Sequence, residues 1–326
     1  MSKWYVGVDV SKDELVAVVM GRKPKSFANT VTGSKALSRW AKTTASGATV
    51  HVCMEATGVY GYRAAMTLAS CSKTEVSVVN PAQIAAFARA QLRRSKTDAL
   101  DAQVILAFAQ SQQPQPWHPQ SAVMRQLYAL VSQWDALAET KRRLNNRSHS
   151  HKHIPDLPPA VAKAQTSVIG CLQRQIARIQ KAILELCQGT PELASQVALL
   201  STIPGVKTKT AVHLLAYGKG TFTTHSRKEL TAHAGLAPRQ HQSGSSIRGK
   251  SYLAKQGDKR LRTALYMSAV GGTVNNPVLA PFYRRLLANG KTKMAALTAC
   301  MRKLLLIIQA MLKHHTPFNP ELKPLT

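Results

Sequence analysis

Two short apolar runs near the N-terminus each stop at an acid: Trp4-Tyr5-Val6-Gly7-Val8-Asp9 and Val50-His51-Val52-Cys53-Met54-Glu55. Runs of this length and β-branched content read as buried strands. The chain has few acids to place, with 15 Asp and Glu against 44 Lys and Arg and a formal net charge of +29. Solubility therefore does not ask for carboxylates at strand ends. Two more stand i, i+3 in Lys96-Thr97-Asp98-Ala99-Leu100-Asp101, so Asp98 and Asp101 share one helix face. Acids drawn together from distant segments repel one another unless cations hold them. Carboxylate oxygens suit hard divalent ions such as Mg²⁺ or Mn²⁺.

Around these acids the first 115 or so residues alternate strand and helix signals. Residues 4–10, 15–20 and 26–29 read as strands, 36–42 as a helix and 49–54 as a strand. Thr57-Gly58 opens a helix over 60–70, and a strand at 76–79 is stopped by Asn80-Pro81. Helical sequence then continues to residue 110 with a break near Arg93-Arg94-Ser95. The order β-β-β-α-β-α-β-α is a mixed-sheet α/β layout, similar to the ribonuclease-H-like fold. In that fold the first and fourth strands are neighbours, which sets Asp9 beside Glu55. A helix carrying Asp98 and Asp101 across the same strand ends would complete a set of four carboxylates. Such a set suffices for two Mg²⁺ ions about 4 Å apart, clamping the attacking and leaving oxygens of a phosphodiester. The plainer reading makes Asp98 a helix cap and leaves Asp101 on the surface, but it does not account for Asp9 and Glu55. Gly7-Val8-Asp9-Val10-Ser11 is also similar to a phosphate loop of actin-like sugar and acyl kinases. The further Gly-rich loops those enzymes need are not found, and the net charge opposes that reading.

Residues 110–121 (QSQQPQPWHPQS) form a linker by composition. Two heptad stripes follow: Val123, Leu127, Leu130, Trp134 and Leu137, then Leu172, Ile176, Ile179, Ile183 and Leu186. Ile154-Pro155-Asp156-Leu157-Pro158-Pro159 separates them and forbids one continuous helix. The expectation is a helical hairpin, as an antiparallel coiled coil or a dimer interface. Arg142, Arg143 and Arg147 at its tip either touch nucleic acid or form a solvated end. His149-Ser150-His151-Lys152-His153 reads as a polar, solvated loop, since no cysteine or carboxylate completes a metal site. Beyond Gly189-Thr190-Pro191 the sequence is helical and basic, interrupted by a Gly/Ser/Arg-rich stretch at 235–257. The expected division is 1–115 for the α/β acid-bearing domain, 116–188 for the hairpin and 189–326 for a mainly α C-terminal domain.

The basic excess points to nucleic acid as partner. The five cysteines are scattered with no C-x-x-C pair, which suits a reducing compartment and argues against structural zinc. The apolar run Leu304-Leu305-Leu306-Ile307-Ile308 is too short to span a bilayer, and residues 4–10 read as a strand rather than a secretory signal. The expected location is cytoplasmic, with no membrane partner.

In the C-terminal half, Ser243 lies in Ser243-Gly244-Ser245-Ser246-Ile247-Arg248-Gly249, with Arg239 before it and Lys250, Lys255, Lys259, Arg260 and Arg262 after it. A serine hydroxyl is a weak nucleophile until activated, and attack on a phosphodiester needs cations for the developing charge. Taken alone, such a loop also reads as a phosphate-binding loop. Pro204-Gly205-Val206-Lys207-Thr208-Lys209-Thr210-Ala211 is similar to a helix-hairpin-helix turn, with Lys207 where a second glycine is usual. Either a backbone phosphate contact or a plain helix-joining turn fits it. The expected nucleic-acid contacts are Arg93, Arg94, Lys96, Arg142, Arg143, Lys207, Lys209, Arg239, Arg248, Lys250, Arg260 and Arg262.

With Val6-Gly7-Val8-Asp9-Val10-Ser11-Lys12, Met54-Glu55-Ala56-Thr57-Gly58, Val79-Asn80-Pro81 and Lys96-Thr97-Asp98-Ala99-Leu100-Asp101-Ala102 in view, the chain resembles a DEDD transposase. The resemblance is to the Piv/MooV type, insertion sequence family 110, with a RuvC-like N-terminal domain. Ile203-Pro204-Gly205-Val206, Ala234-Gly235-Leu236-Ala237-Pro238 and the Ser243 segment match that family's transposase domain in order. The resemblance implies metal-binding acids at Asp9, Glu55, Asp98 and Asp101, and a catalytic serine at Ser243. It implies a DNA recombinase acting on donor and target DNA by insertion, excision or inversion, guided by a noncoding bridge RNA. The hairpin separates the acids from the serine, so a composite site could form in trans, and cutting and rejoining several strands favours a homo-oligomer, dimer or tetramer. The alternatives are a metal-only RuvC-like nuclease or junction resolvase, an invertase of the same family, and a nucleic-acid scaffold with a decayed site.

Overall fold

The computed structural model of the chain describes residues 3–56, 58–91, 97–151, 153–239, 242–243, 247–248, 252–253 and 256–321. They form two compact units, Met1–Pro119 and Gln120–Thr326.

The first unit is a five-stranded mixed sheet with helices on both faces. Its strands are β1 (Trp4–Val10), β2 (Glu14–Val19), β3 (Lys25–Ala28), β4 (Val50–Glu55) and β5 (Thr74–Val79), in the spatial order β3-β2-β1-β4-β5. β1 to β3 are antiparallel neighbours, whereas β1, β4 and β5 run parallel. Each parallel crossover passes through a helix: α1 (Val31–Thr44) before β4, and α2 (Tyr60–Ala69) before β5. α3 (Pro81–Ala90) and α4 (Asp98–Gln112) follow. This is the ribonuclease-H-like architecture expected from the order of strand and helix signals. The break expected at Arg93-Arg94-Ser95 lies outside the described residues, between the end of α3 and the start of α4.

Strand parity sorts the core. Successive side chains leave opposite faces of a sheet, so Val6, Val8 and Val10 share one side with Val50, Val52 and Met54. That side packs on Leu37 and Ala41 of α1 and on Ala64 and Leu68 of α2. The other side carries Tyr5, Gly7 and Asp9 of β1, with Cys53 and Glu55 of β4. Here α3 and α4 supply Ile84, Ile105, Phe108, Ala102 and Leu106. A fully buried side chain of this size contributes about 1.5–3 kcal/mol relative to exposure, so both faces are firmly held.

The second unit is mainly helical. α5 (Ala122–His151) and α6 (Pro159–Gln188) form the hairpin, joined by the prolyl turn, in which Asp156 takes φ 57°. Of the heptad stripes, Leu127, Trp134 and Ile183 are buried and the remainder half-buried. His149 and His151 belong to the last turn of α5, where a solvated loop was expected. The helix carries on because its prolines begin only at Pro155.

After the hairpin come α7 (Pro191–Ser201), α8 (Thr208–Gly218), α9 (Thr221–Thr224) and α10 (Arg227–His233). Four two-residue strands follow, β6 (Pro238–Arg239), β7 (Gln242–Ser243), β8 (Ile247–Arg248) and β9 (Tyr252–Leu253). The unit closes with α11 (Lys259–Asn275), α12 (Leu279–Ala288) and α13 (Lys293–His314). One core gathers Leu127 and Val131 of the hairpin with Leu200, Leu214, Tyr217, Leu265, Leu304 and Ile308. α13, with 22 residues, is long and apolar enough to cross a bilayer, a length the five-residue run at 304–308 did not suggest. Leu304, Leu305, Ile308 and Leu312 are instead buried in this core.

Candidate active site

Asp9 and Glu55 end adjacent parallel strands. The β1–β4 register pairs Gly7 with Cys53 and Val8 with Met54, so the next residues along are Asp9 and Glu55. By parity both leave the sheet on the face that α4 covers. Gly7 sets how closely α4 approaches. A Cβ there would lie 2.3 Å from the Ala102 carbonyl oxygen and 2.4 Å from the Leu106 amide nitrogen, both backbone atoms. Only a residue without a side chain lets the helix rest on β1 at that point, one residue beyond Asp101.

α4 begins with its acids in the first turn. Thr97 is the N-cap and its hydroxyl accepts from the Leu100 N–H at 3.3 Å, so Asp98 is not the cap. Asp98 is exposed and Asp101 half-buried. Negative charge in the first turn also suits the helix dipole. The surrounding turns are tied by Asn29, which sequence reading missed. Its side-chain amide donates to the carbonyls of Ser11 (2.8 Å), Lys12 (3.3 Å) and Tyr60 (3.1 Å). The turn after Asp9 and the helix start after Glu55 are thereby fixed to one buried side chain. The only sequence signal was an Asn at the end of a weak strand.

The electrostatics of Asp9 report its company. Burial pushes its carboxyl up to about 6, and the charges of Asp101, Asp98 and Glu55 push in the same direction against a hydrogen bond from the Val10 N–H. Three acids on two other elements, β4 and α4, thus act on the one Asp9 carboxyl. As placed, and among the described residues, no three His, Cys, Asp or Glu side chains stand close enough to hold one ion. The donor set is nonetheless all carboxylate oxygen, the chemistry of a hard divalent cation. Like charge that raises the proton affinity of Asp9 is also what such a cation relieves.

Ser243 belongs to the second unit. The sequence reads 235–257 as a flexible stretch within a helical region, but the described backbone there holds two short antiparallel strand pairs. Pro238 pairs with Leu253 and Arg239 with Tyr252; farther out, Gln242 pairs with Arg248 and Ser243 with Ile247. Arg248 thus lies on the strand paired with that of Ser243, and Arg239 on the other pair. The base is clasped by glycines: a Cβ on Gly257, at φ 143°, would lie 2.5 Å from the Gly235 amide nitrogen. The Asp258 N–H also donates to the His233 carbonyl at 2.7 Å. Two-residue strands leave too little periodicity to be read from sequence.

The remaining basic candidates differ in setting. Arg93, Arg94, Lys96 and Lys250 lie outside the described residues. Arg142 and Arg143 are exposed and share Glu139 at 2.8 and 2.9 Å. Their hydrogen bonds hold that carboxyl down at about 2. Lys207 and Lys209 are exposed at the start of α8. The turn before them presses on α11, with the Pro204 carbonyl accepting from the Asn276 side chain at 3.2 Å. Arg260 is exposed, and Arg262 donates to the Ala234 carbonyl at the end of α10 (3.3 Å).

The chain is similar to known proteins along nearly its whole length. Residues 6–151 match a family model for DEDD transposases of the IS110 type, and residues 197–284 match the "Transposase IS116/IS110/IS902 family". The chain is 35% identical to the "Pilin gene-inverting protein" of Moraxella bovis over 98% of both chains. It is 34% identical to the protein of the same name from Moraxella lacunata, again over 98% of both. An insertion element IS110 protein of Streptomyces coelicolor is 36% identical over 36% of this chain and 29% of its own. With both family models placed in order and two full-length relatives at 35% and 34% identity, the chain belongs to the IS110/IS116/IS902 family of DEDD transposases, enzymes of DNA phosphoryl transfer.

Proposed function

We propose that this protein cuts and rejoins DNA strands of a mobile or invertible element, with Asp9, Glu55, Asp98 and Asp101 as ligands for Mg²⁺ or Mn²⁺ and Ser243 as nucleophile. The observation that carries the reading is Asp9, a carboxyl raised to about 6 by burial and by three other acids on the covered face of the sheet. A divalent ion held there would stabilise charge on the transferring phosphate. Asp9 and Glu55 orient it from adjacent strand ends, and Asn29 keeps the flanking turns in register. The Ser243 hydroxyl attacks the scissile phosphorus and loses its proton. The P–O bond to the leaving strand breaks, and that strand departs as a hydroxyl. The phosphoserine ester conserves the bond energy, so an exchanged strand's hydroxyl can reverse the step without a high-energy cofactor.

Partner choice follows the family. A noncoding bridge RNA pairs with donor and target DNA, and the protein holds shape and backbone. Exchange of several strands calls for several active sites, hence a dimer or tetramer working on DNA in the bacterial cytoplasm. Inversion is the favoured outcome, because the full-length relatives are named for inverting a pilin gene whereas the insertion-element relative is matched over a shorter stretch.

The test is to trap cleaved DNA under denaturing conditions with wild type, Ser243→Ala and Asp9→Asn side by side. A protein–DNA adduct in wild type alone supports the scheme. Full cleavage by Ser243→Ala with no adduct in any sample makes a metal-only nuclease the better account.

A further inference from the structure

In the second unit, α5, α8 and α11 enclose an open cleft of about 760 Å³. Its walls carry Arg142, Arg143, Lys209, Lys259 and Arg260. They also carry two carboxylates, and each is already engaged. Glu139 accepts from Arg142 and Arg143. Asp135 accepts from His213 Nε2 at 3.0 Å and from the Tyr217 hydroxyl at 2.5 Å. The cleft therefore keeps an excess of positive charge with no unpaired acid among its described residues to answer it.

Several of these cations are held in place. Arg260 lies over the Tyr217 ring, 5.5 Å from its centroid, and its Nη1 donates to the Tyr217 hydroxyl at 3.4 Å. Lys209 lies over the Trp134 ring at 4.7 Å. His213 packs its edge on Trp134 and also bonds the Lys209 carbonyl through Nδ1 at 2.7 Å. The ring thus bridges the Lys209 carbonyl and Asp135. A connected chain thus runs from Arg260 through Tyr217, Asp135 and His213 to the backbone of Lys209. Aromatic faces and hydrogen bonds of this kind reduce the side-chain freedom a cation loses on binding.

We propose that this cleft is a binding groove for the phosphodiester backbone of nucleic acid, contacted by Arg142, Arg143, Lys209 and Arg260, with Tyr217, Asp135 and His213 as positioning residues. It rests on the reading of the chain as a nucleic-acid enzyme and adds where the backbone lies and what holds the cations. Phosphodiester is the fitting ligand because the walls offer cations and hydroxyl donors without an unpaired acceptor. DNA and the guide RNA share that chemistry.

The experiment measures affinity against salt for the full chain on two probes, a duplex DNA and a hairpin RNA of equal phosphate number. Two double variants remove groove charge, Lys209→Gln with Arg260→Gln, and Arg142→Gln with Arg143→Gln. A third, Lys163→Gln with Lys181→Gln on exposed positions of α6, removes the same net charge elsewhere. Thermal melts of every variant exclude misfolding. The groove variants are expected to flatten the salt slope by about 0.9 for each duplex phosphate no longer engaged, or about 0.7 for single strands, with the control pair unchanged. A loss on one probe only identifies which nucleic acid occupies the groove. Equal losses for groove and control pairs, or unchanged slopes on both probes, overturn the proposal. Tyr217→Phe tests positioning: it should weaken binding several-fold in wild type and have no effect in an Arg260→Gln background. Equal effects in both backgrounds would remove Tyr217 from the positioning role. Strand cleavage, assayed in parallel with Asp9→Asn as the inactive reference, separates the two readings. Cleavage with no groove signature refutes the groove alone, and a groove signature without wild-type cleavage refutes the catalytic reading alone.

Discussion

Asp9 and Asp135 are the same side chain, half-buried in each unit, and their surroundings move them in opposite directions. Burial pushes Asp9 up to about 6, and three further acids add to that push. Burial pushes Asp135 up as well, but hydrogen bonds from His213 and Tyr217 and the nearby Arg260 charge outweigh it, and the carboxyl ends below its usual range. The first site gathers like negative charge around one carboxyl. The second balances its acids internally and leaves cations facing the cleft. In a protein of net charge +29, the two arrangements suit the proposed division between a basic surface that binds a polyanion and a local acidic exception for chemistry on phosphate.

The largest test of this contrast is removal of an acid. Asp9→Asn or Glu55→Gln should lower strand cleavage by roughly a thousand-fold or more, since metal assistance is worth several kcal/mol. Nucleic-acid affinity, measured by filter binding, should change by no more than a few-fold. A variant that binds poorly but cleaves normally would break the division of labour between the two units.

Gly7→Ala sharpens the geometric half of the argument. The added carbon would meet two backbone atoms of α4 inside van der Waals contact. The expected cost is about 3 kcal/mol, seen as earlier thermal unfolding, together with loss of cleavage. Unaltered melting and activity would show that α4 need not rest on β1 as described.

Asp135→Asn should destabilise by about 1–3 kcal/mol, because it removes the charge that His213 and Tyr217 donate to. The pH dependence has a defined sign. A depressed carboxylate contributes stability that is present above its unfolded value, near 3.8, and is lost as pH falls through the lower folded value. The wild-type advantage over Asp135→Asn should thus fade only in acid, on denaturant titration below about pH 4.

The smallest effect runs the other way. A carboxyl raised from 3.8 to about 6 binds more protons when folded, so its cost to stability is full above pH 6 and is relieved as pH falls toward 4. In chelator, Asp9→Asn should be more stable than wild type at pH 7 by roughly 1 kcal/mol after allowance for solvent screening. That gap should close on acidification. A gap that widens instead would mean that Asp9 is stabilised by its neighbours.

Much of the first unit could be read from the sequence. The strand runs ending at Asp9 and Glu55, the turn at Asn80-Pro81 and the i, i+3 spacing of Asp98 and Asp101 are local signals with strong periodicity, and the described strands fall within a residue or two of the expected positions. The heptad stripes and the prolyl turn likewise announced the hairpin. The Ser243 hairpin was illegible, because strands of two residues have no period to detect. Asn29 and the Asp135–His213–Tyr217 network were also missed, since their partners lie 17 to 82 residues away.

The sequence by itself determined the class of this protein: a basic chain with acids at strand ends, ordered motifs and a two-stripe helical hairpin. Those features depend on neighbours within one or two turns, where propensity and periodicity act. Tertiary structure alone decided what the acids and cations experience. The approach of α4 over Gly7 gives Asp9 like-charged company, and the packing of α8 against α5 gives Asp135 its donors. Burial and opposed or matched charge are properties of segments that meet only in the fold, and they set the chemistry of two otherwise identical carboxylates.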